Sequence, residues 1–231
     1  MHVSRLASLA LLLFVASAVW GCAGDRGPEL NVVIGYADLT QDSQGGFEPI
    51  VDNQGGLRTS VGIDGPVLLT DESNGSGLRL GGRFAFSGYR EDLGDRVVAG
   101  EPLLEIEEFA DLGIFAPMAT ASYRQVFGDP DAGGAAFIEP GIGAGLSVGV
   151  LSFGSELQFG DRVIGSDIDE SQTEVSYVLN PFMRGGYTSG QFAIGLEGGY
   201  QWTGLEFDDD LGVDAREWYL GLFFGFRLGV P

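Results

Sequence analysis

"EPGIGAGLSVGVLSFGSELQFG", Glu139–Gly160, is the stretch whose reading decides the fold. Up to Val150 its even positions carry Pro140, Ile142, Ala144, Leu146, Val148 and Val150, and its odd positions carry Glu139, Gly141, Gly143, Gly145, Ser147 and Gly149. A period of two over this length predicts a strand. From Leu151 the apolar phase inverts: Leu151, Phe153, Leu157 and Phe159 now stand against Ser152, Gly154, Glu156, Gln158 and Gly160. An even-length turn inverts the phase of its strands, which predicts a two-residue hairpin at Val150–Leu151. Its register would set Val148 opposite Phe153, Gly145 opposite Glu156 and Glu139 opposite Arg162. A face of bulky apolar groups backed by a face of glycine, serine and charge fits a narrow barrel in lipid, small and polar inside and greasy outside.

The same alternation recurs. Trp218, Leu220, Leu222, Phe224, Phe226, Leu228 and Val230 share one phase, with Tyr219, Gly221, Phe223, Gly225, Arg227 and Gly229 on the other. Strands are expected at 30–40, 78–90, 113–127, 135–149, 151–163, 174–187, 191–205 and 215–229. They are longer than the ~5–6 residues usual in soluble sheets and match the ~9–11 that a tilted strand needs to cross a bilayer. The turn at Thr188–Ser189–Gly190 is tight, while Ser166–Thr173 and Asp208–Asp214 read as longer acidic loops. Residues 57–69 alternate as well, which makes nine. A single-chain barrel of this kind needs an even count. Eight strands leave 57–69 outside the barrel and 91–112 as a long periplasmic connection; ten recruit 97–109.

The chain has 231 residues, 39 of them glycine, and a net charge of −21; all 12 basic residues are arginine. Such acidity excludes nucleic acid as a partner. The start is a leader: Arg5 precedes the apolar run Leu6–Val19, which is too short to span ~30 Å of hydrocarbon as a helix. Residues 1–21 are read as a secretory signal, 22–29 as a tether and 30–231 as the barrel. "ASA" ending at Ala18 offers an ordinary cleavage site. "VWGC" ending at Cys22, the single cysteine, resembles a lipobox, which makes Cys22 the lipidation site.

The barrel region, about 30–231, resembles the small outer-membrane β-barrel proteins of Gram-negative bacteria, the OmpA/OmpW-like group. The resemblance rests on the alternation and on the closing segment "WYLGLFFGFRLGV". It implies an all-β fold, a closed antiparallel up-and-down transmembrane β-barrel of eight strands, with ten the alternative. It also implies residence in the bacterial outer membrane, contact with outer-membrane lipid and lipopolysaccharide, assembly by the insertion machinery, and a monomer.

Alternation directs Arg79, Arg83, Glu139, Glu156, Arg184, Glu197, Gln201 and Arg227 inward, where buried charges must pair or stay wet. The expectation is a polar network that fills the lumen. Tyr36, Tyr187, Tyr200, Trp202 and Trp218 lie near strand ends, as an interfacial aromatic belt requires. Little chemistry is on offer. The only histidine is His2, in the leader, and there is no lysine. Gly145–Gly149 spells the nucleophile-elbow pattern in a strand, without a base. "DIDES" at Asp167–Ser171 and "DPDAGG" at Asp129–Gly134 start like calcium loops but reach Val178 and Pro140 at the twelfth position, where glutamate is needed. Asp208–Asp210 reads as a solvated acidic loop. No catalytic, metal or cofactor site is expected. The function expected is a non-enzymatic barrel with a structural or surface-interaction role. The alternatives are a narrow passive channel for ions or small hydrophobic solutes, and a secreted soluble β-barrel carrier.

Overall fold

The computed structural model describes residues 27–44, 55–65, 68–71, 75–92, 97–98, 105–160, 162–207 and 211–228. Residues 1–26, on which the expected leader and the expected lipidation of Cys22 fall, lie outside that set, as do Asp208–Asp210. The strands are β1 Glu29–Gln44, β2 Gly55–Asp64, β3 Leu68–Asp71, β4 Ser76–Asp92, β5 Val97–Val98, β6 Glu105–Phe127, β7 Ala135–Phe159, β8 Arg162–Ser189, β9 Phe192–Phe207 and β10 Leu211–Arg227. Eight of them close a ring in the order β1, β2, β4, β6, β7, β8, β9, β10 and back to β1, each pair antiparallel. The short β3 folds back on the start of β4, and β5 pairs with the first residues of β6. The fold is a closed up-and-down barrel of eight strands.

These are not the eight strands read from the sequence. No turn interrupts Val150–Leu151: β7 runs unbroken for 25 residues, and the expected strands 135–149 and 151–163 are largely one. Val148 pairs with Val175 and Phe115 rather than Phe153, Gly145 with Val178 and Met118 rather than Glu156, and Glu139 with Arg184 rather than Arg162. The vacated place in the ring goes to β2, so residues 57–64 belong to the barrel. The ring passes from β4 directly to β6, which takes in 105–109 of the segment expected as a tenth strand. Because β4 runs in the same sense as β1, Asp92 lies at the end opposite Glu29 and Arg227, not beside them as a periplasmic 91–112 requires.

The phase change at Val150 has another cause. The register of β7 with β6 has no shift, so the side chains do not change faces; the surroundings do, and past Leu151 the even-numbered Gly154 and Glu156 are buried while Phe159 is exposed. Up to Val150 the outward face is apolar. Beyond it the even positions carry Ser152, paired with Asp111, and Glu156, paired with Glu107. Inward, Leu151 is fully buried and Phe153 packs on the same cluster. The strand leaves the apolar belt at Val150, so its even positions turn polar just where hydrophobic side chains pack on its other face.

Ser166–Thr173, expected as a loop, is strand: β8 starts at Arg162 and pairs with β7 nearly to its end. Neither face of Arg162–Ser171 is covered, so no alternation marks it. Two register shifts interrupt its pairing, at Phe153/Gly154 and Leu157/Gln158.

At the end where β1 begins and β10 ends, short turns join β6 to β7 and β8 to β9, while the β2–β4 connection there carries β3. Gly190 takes φ +54° between β8 and β9, a left-handed value that glycine adopts at no steric cost. Asp129–Gly134 is a compact turn in which Asp129 Oδ1 accepts the Asp131 N–H at 2.9 Å, and that accounts for its resemblance to a calcium loop.

Candidate functional site: the lumen and the outer belt

All eight barrel strands send polar side chains into the lumen. Five arginines (Arg58, Arg79, Arg83, Arg124, Arg184) meet five carboxylates (Glu29, Asp64, Glu139, Glu197, Glu217), all of them buried. The signs balance, which is what lets so many charges leave water together. Toward the termini, Arg124 forks onto Glu29 with two 2.8 Å bonds and reaches Glu139 through Nε at 2.6 Å. Arg79 lies 3.4 Å from Glu29 and 3.7 Å from Glu139. At mid-height Arg184 donates to Asp64 and Glu197 at 2.6 Å and to Glu139 at 3.3 Å. Arg83 forks onto Glu197 at 2.6 and 2.9 Å. The Tyr219 hydroxyl bonds Glu197 at 2.9 Å and Asn180 at 3.2 Å. Nearer the far end, Arg58 pairs with Glu217 and donates to Gln201 at 2.9 Å, and Ser87 donates to Glu217 at 2.7 Å.

Aromatic rings lie beside the guanidinium groups. Arg58 lies 4.1 Å from the centre of the Tyr219 ring, Arg83 and Arg184 lie 4.4 and 5.0 Å from that of Phe182, and Arg124 lies 4.4 Å from that of Phe137. Such contacts gain strength away from water. Two apolar clusters pack among these charges. Val33, Val126, Phe137, Ala193 and Phe223 pack near the short turns. Leu39, Tyr89, Leu112, Ile114, Leu151 and Leu205 pack toward the far end.

Arg79, Arg83, Glu139, Arg184, Glu197 and Gln201 all sit in this network. Arg227 is half-buried at the rim, opposite Glu29 across β1 and β10, and donates its backbone N–H to Gln191 O at 2.8 Å. Glu156 is a correction. It is buried, but on the extended part of β7 and outside the lumen network, paired with Arg90, which also lies over Phe109 and approaches Asp111. Its even parity was masked by a register built on a hairpin that is absent. Glu29, Arg58, Asp64, Arg124 and Glu217 were missed. Arg58 and Asp64 carried the signal, alternating with Leu57, Val61 and Ile63, but their strand was set aside.

Ser147 of the G-x-S-x-G match is buried in β7, and its Oγ has no hydrogen-bond partner within the protein. No basic side chain joins it. Among the described residues no group of three or more His, Cys, Asp or Glu could hold a metal.

The outer surface is the converse of the lumen. Ile34, Val61, Phe84, Phe115, Ile142, Leu179, Leu196, Leu220 and Leu222 are all exposed. Aromatic rings edge this band. Tyr36 and Trp218 meet at 6.0 Å, and Tyr200 and Trp202 at 4.6 Å, on the far side. Near the turns lie Tyr123, Phe192, Phe226 and Tyr187, whose hydroxyl donates to Gly133 O at 2.7 Å. From Phe192 to Trp202 on β9, a rise of about 3.4 Å per residue and a tilt of about 40° give a height of about 26 Å, close to the apolar band of transmembrane barrels.

No family profile and no curated protein matches the chain. Among solved structures it is similar to Ail, the attachment invasion locus protein of Yersinia pestis, crystallised with the heparin analogue sucrose octasulfate (16% identity, 86% of this chain and 99% of that one, TM-score 0.46). It is also similar to Neisserial surface protein A (12% identity, 87% and 97%, TM-score 0.48). A third is the outer membrane protein OprG of Pseudomonas aeruginosa (10% identity, 90% and 99%, TM-score 0.38).

Proposed function

We propose that this chain is a non-enzymatic barrel of the Gram-negative outer membrane, closed inside, that acts through its surface as a structural or surface-interaction protein. The observation that carries this reading is the balanced network of five buried arginines and five buried carboxylates drawn from all eight strands, packed with two apolar clusters. A conduit needs a water-filled path, and here the lumen holds its own buried ion pairs and two packed hydrophobic clusters. The apolar belt and its two aromatic borders support the membrane placement. By analogy with such barrels the short-turn end faces the periplasm, and the β7–β8 hairpin stands outside the cell. Lipid and lipopolysaccharide are then its immediate partners, and the insertion machinery its route of assembly as a monomer. Export by the leader and acylation of Cys22 belong to the same reading; the intact mass of the mature protein tests them.

Purified full-length protein in planar lipid bilayers tests the closed lumen, with heat-modifiable gel mobility proving insertion. Inserted protein is expected to give no steady unitary current. Steady unitary currents would replace this reading with that of a narrow channel.

A further inference from the structure

Nine arginines lie in the described residues. Five are in the lumen, Arg90 is held by Glu156 and Asp111, Arg162 is at the hairpin tip, and Arg227 is at the turn-side rim. Arg216 has a different setting. It shares the outward parity of Trp218 and Leu220, and it is the next outward residue beyond Trp218 toward the far end. Its cross-strand partner on β9 is Trp202. The wall parts at this height. The last β8–β9 pair is Val178 with Thr203, while β9 continues along β10 to Phe207. The parting leaves a cleft of about 160 Å³ lined by Tyr177, Trp202, Thr203, Gly204, Ala215 and Arg216. Tyr177 and Trp202, 64% and 40% exposed, form its mouth, and the buried Thr203 and Ala215 form its floor. Gly204 keeps the space open: Ser176 Oγ and the Tyr177 ring stand 3.5 Å from where a Cβ would be.

This is a cationic fork beside two amphipathic rings, at the height where lipid tails give way to headgroups. A guanidinium has five N–H donors, more than one neighbouring acceptor can occupy, and it suits phosphate oxygens two at a time. Trp and Tyr at that level present an apolar body to the glycerol or sugar next to a phosphate. We propose that the cleft binds a phosphate monoester on the headgroup of an outer-leaflet lipid, with Arg216 holding the phosphate, Tyr177 and Trp202 flanking the adjoining polyol, and the acyl chains running down the apolar belt. The proposal rests on the membrane reading above.

The full chain carrying Trp20→Phe and Trp218→Phe leaves Trp202 as the fluorescent reporter. In dodecyl maltoside micelles it is titrated with dihexanoyl phosphatidic acid, dihexanoyl phosphatidylcholine and inorganic phosphate. Saturable quenching or enhancement by phosphatidic acid is expected, with phosphatidylcholine and inorganic phosphate each at least tenfold weaker. Arg216→Gln should weaken phosphatidic acid at least tenfold. Gly204→Leu should do the same by filling the cleft with Arg216 intact. Equal binding by Arg216→Gln and its parent, or by the two lipids, overturns the proposal. Inorganic phosphate as tight as phosphatidic acid would make this a site for the free ion and overturn the lipid assignment. A parent protein without heat-modifiable mobility sinks the membrane reading itself, and the proposal with it.

Discussion

Arg83 on β4 and Glu197 on β9 stand four strands apart in either direction round the ring, yet they meet in the lumen as a two-point fork, at 2.6 and 2.9 Å. The pair spans the full width of the barrel. Glu197 also accepts from Arg184 Nε at 2.6 Å and from the Tyr219 hydroxyl at 2.9 Å, so one carboxylate ties together β4, β8, β9 and β10. Glu197→Ala leaves Arg83 without its fork, buried among the remaining charges. Breaking a buried pair from one side costs about 3–5 kcal/mol. Urea unfolding in micelles should show that loss, and Arg83→Met with Glu197→Met together should lose less than Glu197→Ala alone. Wild-type stability in the single variant would remove the fork from the list of what holds the ring closed.

The facing of β10 gives a second test. Leu222 and Phe224 are 52% and 42% exposed, and Phe223 between them is 0% exposed. An arginine at mid-bilayer on the lipid face costs about 2–4 kcal/mol. Leu222→Arg and Phe224→Arg should therefore reduce insertion into vesicles, increasingly as the bilayer thickens. Phe223→Arg should fail by a different route, crowding Phe137 and Arg184, which lie 6.1 and 4.8 Å from its ring, and its defect should not follow bilayer thickness. Normal insertion by both outward variants would reverse the facing.

The barrel class was legible because period-two alternation survives wherever one face meets an apolar medium and the other a crowded interior. The facing of β10 from Ala215 to Arg227 could be read in this way, as could the inward direction of Arg79, Arg83, Glu139 and Arg184, although the strand starts at Leu211, inside the expected acidic loop Asp208–Asp214. What failed were places where the medium changes along one strand. At Val150 an unbroken strand crosses out of the belt, and the inversion of polarity imitates a turn. Between Arg162 and Ser171 both faces are exposed, so no pattern exists to be read. In β2 the alternation was seen, but a false extra strand had already filled the ring. Glu156 followed from that same error. The partners within the network depend on which strands face each other across the lumen, and no local pattern carries that.

Continuity of β7 can be checked by cross-linking. In the observed register Val148 faces Val175, and directly opposed antiparallel residues have Cα atoms about 4.5–5.5 Å apart, within disulfide reach. With Cys22→Ser removing the native thiol, V148C/V175C should oxidise to a cross-linked species of altered gel mobility. V148C/F153C lies along one extended strand, about 17 Å apart at about 3.4 Å per residue, and should not. Cross-linking of the second pair and not the first would restore the hairpin at Val150–Leu151.

Gly141 supports the network from the opposite side of a ring. It pairs with Phe182 across β7 and β8, and the Phe182 ring occupies the place where a Gly141 side chain would go. Arg83 and Arg184 lie over that ring at 4.4 and 5.0 Å. The missing side chain therefore seats the ring, and the ring seats the guanidinium that spans the barrel. Gly141→Val must push Phe182 toward the arginines, and overpacking of this kind costs about 1–3 kcal/mol. Gly113→Ala is the control: its Cβ would come no closer than 3.8 Å to any neighbour, so the change should be close to neutral. Phe182→Ala alone should cost about 3–5 kcal/mol. In that background the space beside Gly141 is vacant, so adding Gly141→Val should cost much less than it does in the parent. Urea midpoints of the four proteins in micelles close the cycle. If Gly141→Val costs the same with Phe182 present or absent, the glycine is there for a reason other than the ring.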